Sequence, residues 1–224
     1  MLSFKKLLII LVPLLAIGLT YFFYTSKEKE PLPEMTVQEK KARFISIILP
    51  VTQDVYGELL IRYNDVSSEL KAGKSEQYED LKKEYGASSD EELLMALKPH
   101  PISVTLAQAA MESSWATSRF FRKANNIFGV WSFDENDDRI AAGEKRGDKT
   151  VWLKKYSSVE ASISDYYRTL ARGRAFVEFR RLNLSTNDPY ELVKKLDKYS
   201  EKGALYGEEL TSIIKYNKFY EHDS

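Results

Sequence analysis

Hydrophobic side chains recur every three to four residues along most of the chain after Thr36, which is the spacing of the buried face of an α-helix. Thr36 and Glu39 have the spacing of a capping box and predict the start of the first helix. Pro50 is expected to bend or interrupt that helix, because it lacks the N–H that helical hydrogen bonding needs. Further helices are predicted over residues 91–97, 103–112, 157–173, 188–196 and 204–219. Their predicted N-caps are Ser88 or Ser89, Ser103, Ser157 and Asp188.

A different pattern follows residue 133, where a polar segment gives way to β-branched and aromatic residues. Residues 139–142 and 149–156 are predicted to form the two strands of a β-hairpin around Gly143 and Gly147. The pattern as a whole predicts a mainly α fold with one small β-hairpin.

Residues 7–24 carry no charge and follow Lys5 and Lys6. At about 1.5 Å per residue this segment is long enough to cross most of a bilayer core. The aromatic residues 21–24 at its end favour an uncleaved membrane anchor over a cleaved export signal, which would end in small residues. Residues 25–35 are charged and contain two prolines, and they are predicted to be a short, stiff tether to a domain over residues 36–224.

Composition narrows the possible chemistry. The chain has 33 basic and 33 acidic residues, so it lacks the positive field expected of a nucleic-acid-binding protein. It has no cysteine, which excludes disulfides, a thiol nucleophile and thiolate metal sites. The two histidines, His100 and His222, lie far apart, which argues against a histidine metal cluster or a Ser-His-Asp triad. Carboxylates, hydroxyls and aromatic rings remain, and no metal or cofactor is expected.

The stretch 106–133 carries the most suggestive chemistry. Glu112 ends an alanine-rich helical run, and Trp115 follows three residues later, which on a continuous helix places both on one face. An indole there would remove water from the carboxyl and raise its pKa. A glycosidic oxygen needs a proton as it leaves, and a carboxylic acid with a raised pKa can supply it. A solvated or capping glutamate near a helix end fits the same residue types.

The surrounding residues allow two interpretations each. Several aromatic rings could stack on the apolar face of a pyranose, or they could pack in the core. They are Phe120, Phe121, Phe128, Trp131, Phe133 and Trp152. Asn126 could hydrogen-bond a sugar, or it could shape the turn before Gly129.

Four segments resemble a known family. The sequences AQAAMESSW and NNIFGVW are similar to the glucosaminidase module of glycoside hydrolase family 73, and YSSVEASISDYYRTL and KYSEKGALYGEELTSII extend the match. Within that family, KPHPISVTLAQAAMESSWATSRF resembles the bacterial Bax-like group. The resemblance implies a lysozyme-like helical fold that hydrolyses peptidoglycan, with residues 36–98 as supporting helices and residues 99–224 as the catalytic core.

The resemblance also implies roles for particular residues. Glu112 stands at the position of the general acid, and Tyr199 stands at that of a tyrosine in the same cleft. The predicted substrate-binding residues are Trp115, Asn126, Phe128, Trp131 and Tyr206. The second carboxylate of the family lies in the hairpin lobe, where Glu144 is the first candidate and Asp148 the second. A separation of about 5 Å from Glu112 would indicate a retaining enzyme and about 6.5–9.5 Å an inverting one, whereas the substrate's own 2-acetamido group could act without either carboxylate.

The function implied is a peptidoglycan hydrolase that cleaves the β-1,4 bond on the reducing side of N-acetylglucosamine. Its partners would be peptidoglycan glycan strands and, through residues 7–24, the bacterial inner membrane, with the domain facing the periplasm. Two alternatives remain at this point. A lytic transglycosylase would use one glutamate on the same fold, and a wall-binding or scaffolding module would keep the cleft without catalysis.

Overall fold

The computed structural model describes residues 32–146 and 149–223, and its longest element is helix α1 (Val37–Lys71). The helices that follow are α2 (Glu79–Tyr85), α3 (Asp90–Leu97), α4 (Ile102–Glu112), α5 (Arg119–Ala124), α6 (Val159–Arg172), α7 (Val177–Ser185), α8 (Pro189–Val193) and α9 (Ala204–Asn217), with 3₁₀ turns at Ser75–Tyr78, Arg174–Phe176 and Phe219–His222. Strands β1 (Arg139–Arg146) and β2 (Lys149–Lys154) pair antiparallel. The predicted mainly α fold with one small β-hairpin is confirmed.

Helix α1 begins at the predicted capping box. The Glu39 backbone N–H donates to the Thr36 hydroxyl, and the Thr36 backbone N–H donates to the Glu39 carboxylate. Pro50 lies inside the helix and does not interrupt it. Phe44 and Ile48 before the proline and Val55 after it are all buried, so tertiary packing on both sides of Pro50 stabilises a continuous helix.

The anchor predicted at residues 7–24 and residues 25–31 of the tether lie outside the described residues. Among residues 32–146 and 149–223, one helix, α1, is long and apolar enough to cross a membrane by length and composition alone. The core helix of a globular domain passes the same test. Helix α1 packs on α4 and α6 and places Phe44 and Ile48 in the main hydrophobic core.

Helix α4 is the central helix. Every residue from Ile102 to Ala110 is buried, and the helix contacts α1, α8, α9 and the last 3₁₀ turn. The alanines at 107, 109 and 110 allow these neighbours to approach closely, as their small size predicted. The rigid core around α4 therefore fixes the position of its last residue, Glu112.

The predicted cap at Asp188 is confirmed, and of the two candidates Ser88 and Ser89 the N-cap of α3 is Ser89. Two other predicted caps are wrong. The N-cap of α6 is Ser158 rather than Ser157. The N-cap of α4 is Pro101, which offers no side-chain acceptor, and Ser103 lies within the first turn of α4. Asp223, from the segment after α9, accepts the Ser103 backbone N–H at 2.8 Å and the Ser103 hydroxyl. The Asp223 carboxylate thus accepts the hydrogen bond that an N-cap side chain would otherwise accept from the first turn of α4.

Asp223→Ala should lower the free energy of unfolding by about 1 kcal/mol, because it leaves the buried Ser103 N–H without an acceptor. Chemical denaturation of the single and double variants with Ser103→Ala measures this. The two losses should be less than additive, because both substitutions remove the hydrogen bond between the Ser103 hydroxyl and the Asp223 carboxylate. Ser103→Ala keeps the backbone N–H bond to Asp223, so an Asp223→Ala variant no less stable than Ser103→Ala would contradict the capping role.

Candidate active site

Glu112 is the last residue of α4, and the chain reverses immediately after it. Ser114, Trp115 and Ala116 all have left-handed backbone conformations, with φ of 50°, 61° and 58°. Within this turn the Ala116 N–H donates to the Ser113 hydroxyl, and an Arg43 guanidinium from α1 donates to the Ala116 carbonyl. These bonds hold a turn that non-glycine residues adopt only at a cost, and the turn leaves the Glu112 side chain at the end of the buried helix.

The Glu112 carboxyl is half-buried and has one phenolic partner. The Tyr206 hydroxyl, from α9, donates to Glu112 Oε1 at 2.8 Å. Burial raises the pKa of Glu112 above its ordinary value, and the Tyr206 hydrogen bond and the positive charge of Lys202 oppose this rise to a smaller extent. Glu112 therefore keeps its proton at a higher pH than an exposed glutamate does, as a general acid must.

This raised pKa predicts a pH-dependent effect of Glu112→Gln on stability. The folded state holds the proton where the unfolded chain, with a pKa of about 4.3, has lost it. The stability that the proton supplies is full below about pH 4.3 and is lost as pH rises through the raised folded pKa. Glutamine has no proton to lose, so the variant should be more stable than wild type at neutral pH and converge with it in acid. Thermal unfolding at a series of pH values measures this, and a pH-independent difference would contradict it.

Two tyrosines lie next to Glu112. Tyr206 is 1% exposed, and its hydroxyl donates to the Glu112 carboxyl. A residue this buried does not fit the predicted role of binding substrate directly. Tyr199, in the loop between α8 and α9, stacks on Tyr206 with ring centroids 5.5 Å apart. Burial and the nearby Glu112 charge raise the pKa of both phenols, which keeps them neutral hydrogen-bonding groups.

Trp115 does not share a helix face with Glu112, because α4 ends at Glu112. The left-handed turn directs the indole toward α1 and the last 3₁₀ turn, where it meets Phe44 edge-on at 5.3 Å and Phe219 at 6.2 Å. Lys41 Nζ lies 4.9 Å from the centroid of the Trp115 ring. The prediction that Trp115 shares a helix face with Glu112 and shields its carboxyl from water is therefore wrong.

Asn126 and Phe128 are buried, and their contacts are internal. The Asn126 side-chain amide donates to the Val130 and Lys154 carbonyls at 2.9 and 2.8 Å and accepts the Val130 N–H at 3.0 Å. It therefore ties its loop to β2, which supports the turn-shaping interpretation over sugar binding. Phe128 is 4% exposed, and its ring stacks on that of Tyr166 with the centroids 4.0 Å apart. These contacts support the interpretation of Phe128 as a core residue.

Trp131 is the most exposed of the predicted aromatic substrate-binding residues. It is 40% exposed and pairs with Leu153 through an isolated β-bridge beside the hairpin. Phe133 is 86% exposed, and its ring centroid lies 6.1 Å from that of Trp131. These two rings form an exposed aromatic surface suited to the apolar face of a sugar.

The hairpin backbone is fixed at its base and irregular further out. Ser132 and Trp152 are joined by a backbone hydrogen bond, and so are Lys154 and Val130. The strand register shifts between Ala141 and Lys145, a stretch that includes Glu144. The Glu144 side chain and the whole of Asp148 lie outside the described part of the chain, so both remain predictions for the second carboxylate. Within the described residues, no three metal-ligating side chains come together.

Helix α4 carries a stripe of polar residues that was not predicted from the sequence. Thr105, Gln108 and Glu112 are spaced by three and four residues, which places them along one side of a helix whose other residues are mostly apolar and buried. Gln108 Nε2 donates to the Tyr206 hydroxyl at 2.9 Å. Polar residues at helical spacing on a predicted core helix were the signal that could have found this stripe, because buried polar groups need partners.

A mainly helical domain with a half-buried, protonatable glutamate beside a tyrosine has the groups that a glycoside hydrolase with a carboxylic acid at its active site needs. Residues 89–219 match the glucosaminidase family model, described as mannosyl-glycoprotein endo-beta-N-acetylglucosaminidase. Because the match covers more than half of the chain, this protein belongs to the glucosaminidase family.

Curated relatives agree with this family. The chain is 29% identical over 124 residues to Protein bax of Escherichia coli (strain K12), covering 53% of this chain and 43% of that protein. It is 34% identical over 82 residues to the exo-glucosaminidase LytG of Bacillus subtilis (strain 168), covering 33% of this chain and 28% of that protein. The chain thus spans less than half the length of either relative. The resemblance to the Bax-like group of glycoside hydrolase family 73 is confirmed.

Solved structures with a similar course of chain include the catalytic domain of the autolysin Auto from Listeria monocytogenes, at 17% identity and a TM-score of 0.47, covering 86% of this chain and 100% of that one. They also include a glycoside hydrolase domain of Salmonella typhimurium FlgJ, at 23% identity and a TM-score of 0.43, covering 61% of this chain and 97% of that one.

Proposed function

We propose that the protein hydrolyses peptidoglycan at the β-1,4 bond on the reducing side of N-acetylglucosamine, with Glu112 as the general acid. The observation that carries this proposal is the half-buried Glu112 carboxyl, whose pKa is raised by burial and whose Oε1 accepts the Tyr206 hydroxyl, in a glucosaminidase-family domain. An acid of this kind can protonate a glycosidic oxygen that would otherwise be a poor leaving group.

As the glycosidic bond breaks, Glu112 gives its proton to the leaving oxygen and becomes a carboxylate. The Tyr206 hydroxyl and the positive charge of Lys202 then stabilise that charge. The anomeric carbon is attacked by a water that a second carboxylate activates, by that carboxylate itself, or by the substrate's 2-acetamido group. Glu144 is the first candidate for the second carboxylate and Asp148 the second.

Trp131 is the exposed aromatic residue that ends the NNIFGVW motif, and we assign it a sugar-stacking role together with Phe133. Tyr199 supports Tyr206 by ring stacking and is the second tyrosine of the cleft. The contacts of Trp115 and Phe128 give them packing roles, and those of Asn126 give it a turn-shaping role.

Mass spectrometry of sacculi digested by the purified full chain tests this proposal. Hydrolysis should yield fragments that have gained one water and that end in a reducing N-acetylglucosamine. Anhydro-muramyl ends would contradict hydrolysis and indicate a lytic transglycosylase. Reducing muramic acid ends would contradict the assigned bond.

We also propose a single-pass location in the bacterial inner membrane, with the domain in the periplasm. The proposal rests on the uncharged segment 7–24 and its aromatic end. Protein purified from membranes should begin at or near residue 1 when its N-terminus is sequenced. A mature N-terminus near Thr25 would contradict the anchor and identify a cleaved export signal.

A further inference from the structure

A continuous series of buried polar side chains connects His100 to Glu112. The Tyr206 hydroxyl donates to Glu112 Oε1 at 2.8 Å, and Gln108 Nε2 donates to the Tyr206 oxygen at 2.9 Å. The Tyr166 hydroxyl, from α6, donates to Gln108 Oε1, and its oxygen lies 3.1 Å from His100 Nε2. All four residues before Glu112 are at most 3% exposed. We call His100, Tyr166, Gln108 and Tyr206 the buried chain.

The hydrogen bonds of the buried chain all run in one direction. A tyrosine hydroxyl has one hydrogen, and Tyr166 gives it to Gln108 Oε1. The hydrogen between Tyr166 and His100 must therefore belong to His100 Nε2. Full burial lowers the pKa of His100 to about 3, so the imidazole is neutral and has one N–H to place.

Thr105 and Tyr167 support this assignment of the His100 hydrogen. Thr105 Oγ1 lies 3.0 Å from His100 Nε2 and gives its own hydrogen to the Tyr167 hydroxyl at 2.9 Å. The Tyr167 hydroxyl in turn donates to the His100 carbonyl at 3.4 Å. Both oxygens that face His100 Nε2 have used their hydrogens elsewhere, so both can only accept from it.

The direction of the chain decides which Glu112 oxygen carries the catalytic proton. Because Gln108 turns its N–H toward Tyr206, the Tyr206 oxygen accepts there and its hydrogen points to Glu112 Oε1. In a neutral carboxyl the carbonyl oxygen is the stronger hydrogen-bond acceptor, so Oε1, which accepts the Tyr206 hydroxyl, is the carbonyl oxygen. The proton of the neutral acid is therefore on Oε2.

The opposite direction would disable the acid. If the Gln108 amide were rotated by half a turn, Tyr206 would donate to Gln108 Oε1. Glu112 would then donate its own proton to Tyr206, into the protein and away from the substrate. The two directions use the same residues, and the contact that separates them is the Tyr166 hydrogen bond to Gln108 Oε1.

We propose that Gln108 and Tyr166 are positioning residues that hold the catalytic proton on Oε2 of Glu112, with the His100 Nε2–H group setting the direction of the buried chain. The proposal rests on the proposed function of Glu112 as a general acid. Neither residue touches the reacting atoms, and both act through Tyr206.

The described groups that act electrostatically on Glu112 come from three elements. Helix α9 supplies Tyr206, the loop before it supplies Tyr199 and Lys202, and α6 supplies Tyr166. Lys202 is paired with Glu209 of α9. Burial raises the pKa of Tyr166 well above its ordinary value, so Tyr166 is a neutral phenol and its substitution by phenylalanine removes no charge. The lysine, its partner and both other tyrosines stay in place, so a change in the pH profile reports on the orientation of the Tyr206 hydroxyl.

Tyr166→Phe in the full-length protein tests the proposal. Without the Tyr166 hydroxyl, Gln108 can rotate and Tyr206 donates to Glu112 for only part of the time. We expect kcat to fall about tenfold with KM unchanged. The alkaline limb of the kcat profile should move up by about half a pH unit, because the ionised Glu112 loses part of its hydrogen bond. Thr52→Val removes an equally buried hydroxyl, bonded to the Ile48 carbonyl at 2.8 Å, and should leave both quantities unchanged. A Tyr166→Phe enzyme with a wild-type alkaline limb and kcat would overturn the proposal.

A second measurement needs no activity. The chain has two histidines, so ¹⁵N-histidine labelling of the full chain in detergent micelles gives two imidazole signals, and His222→Gln assigns them. His100 should carry its hydrogen on Nε2 and remain neutral at pH 5. A hydrogen on Nδ1 would overturn the proposal. If instead His100 behaves as expected and the wild-type protein releases no fragments from sacculi, the proposed function fails and the buried chain stands.

Discussion

Glu112→Gln should reduce the release of peptidoglycan fragments by about 10²- to 10⁴-fold, because the amide cannot give a proton to the glycosidic oxygen. The replacement is nearly isosteric, and its Oε1 can still accept the Tyr206 hydroxyl that the wild-type carboxyl accepts at 2.8 Å. We therefore expect the variant to fold and to bind sacculi as wild type does. Turnover of labelled sacculi and a co-sedimentation assay measure the two properties separately.

Glu58→Gln is the matched control for Glu112→Gln. Glu58 is an exposed glutamate on α1, so the same chemical change there should leave turnover and binding unchanged. If Glu112→Gln retained both wall binding and cellular function, the protein would be a wall-binding or scaffolding module. If it lost binding as well, Glu112 would act in substrate recognition rather than as an acid alone.

Gly207→Ala should destabilise the protein by about 2 kcal/mol and lower its turnover. A Cβ at this position would lie 2.8 Å from the Val193 carbonyl oxygen and 3.2 Å from the Lys194 Cα, and backbone atoms cannot rotate away. Helix α9 would have to move from the end of α8, and its neighbouring residue Tyr206 would move with it. Urea denaturation measures the stability, and the activity should fall even where the variant is fully folded.

Gly57→Ala provides the comparison. Gly57 lies inside α1, and a Cβ added there would meet no atom within 4 Å, so alanine should stabilise the helix by about 0.5–1 kcal/mol without a change in activity. If Gly207→Ala behaved like Gly57→Ala, the close approach of α9 to α8 would not be what holds Tyr206 against Glu112.

The helical elements were predictable from sequence because local signals determine them. The Thr36 capping box, the Ser89 cap and Asp188 before Pro189 all mark helix starts in the structure. The Ser103 prediction failed for the opposite reason, since the group that satisfies the start of α4 is Asp223, 120 residues away. Local sequence carries no information about a partner at that distance.

The site was predictable in part. Glu112 could be chosen because composition removed thiol, imidazole and metal chemistry, and because the family motif marks its position. The role of Trp115 was misjudged because three consecutive left-handed residues end the helix, and serine, tryptophan and alanine give no local sign of that conformation. Gln108 and Tyr166 were missed because each resembles an ordinary helix residue until the fold brings them together.

Ending α4 at Glu112 also places the acid in the field of the helix itself. The aligned peptide dipoles of a helix leave about half a negative charge at its C-terminus, which disfavours a nearby carboxylate by about 0.3–1 kcal/mol. Glutamate is for this reason unfavourable as the last residue of an isolated helix. In this protein the left-handed turn that starts at Ser114 ends α4 at Glu112. The macrodipole of α4 thus acts in the same direction as burial, and the helix that holds the core together also helps its terminal acid to retain a proton.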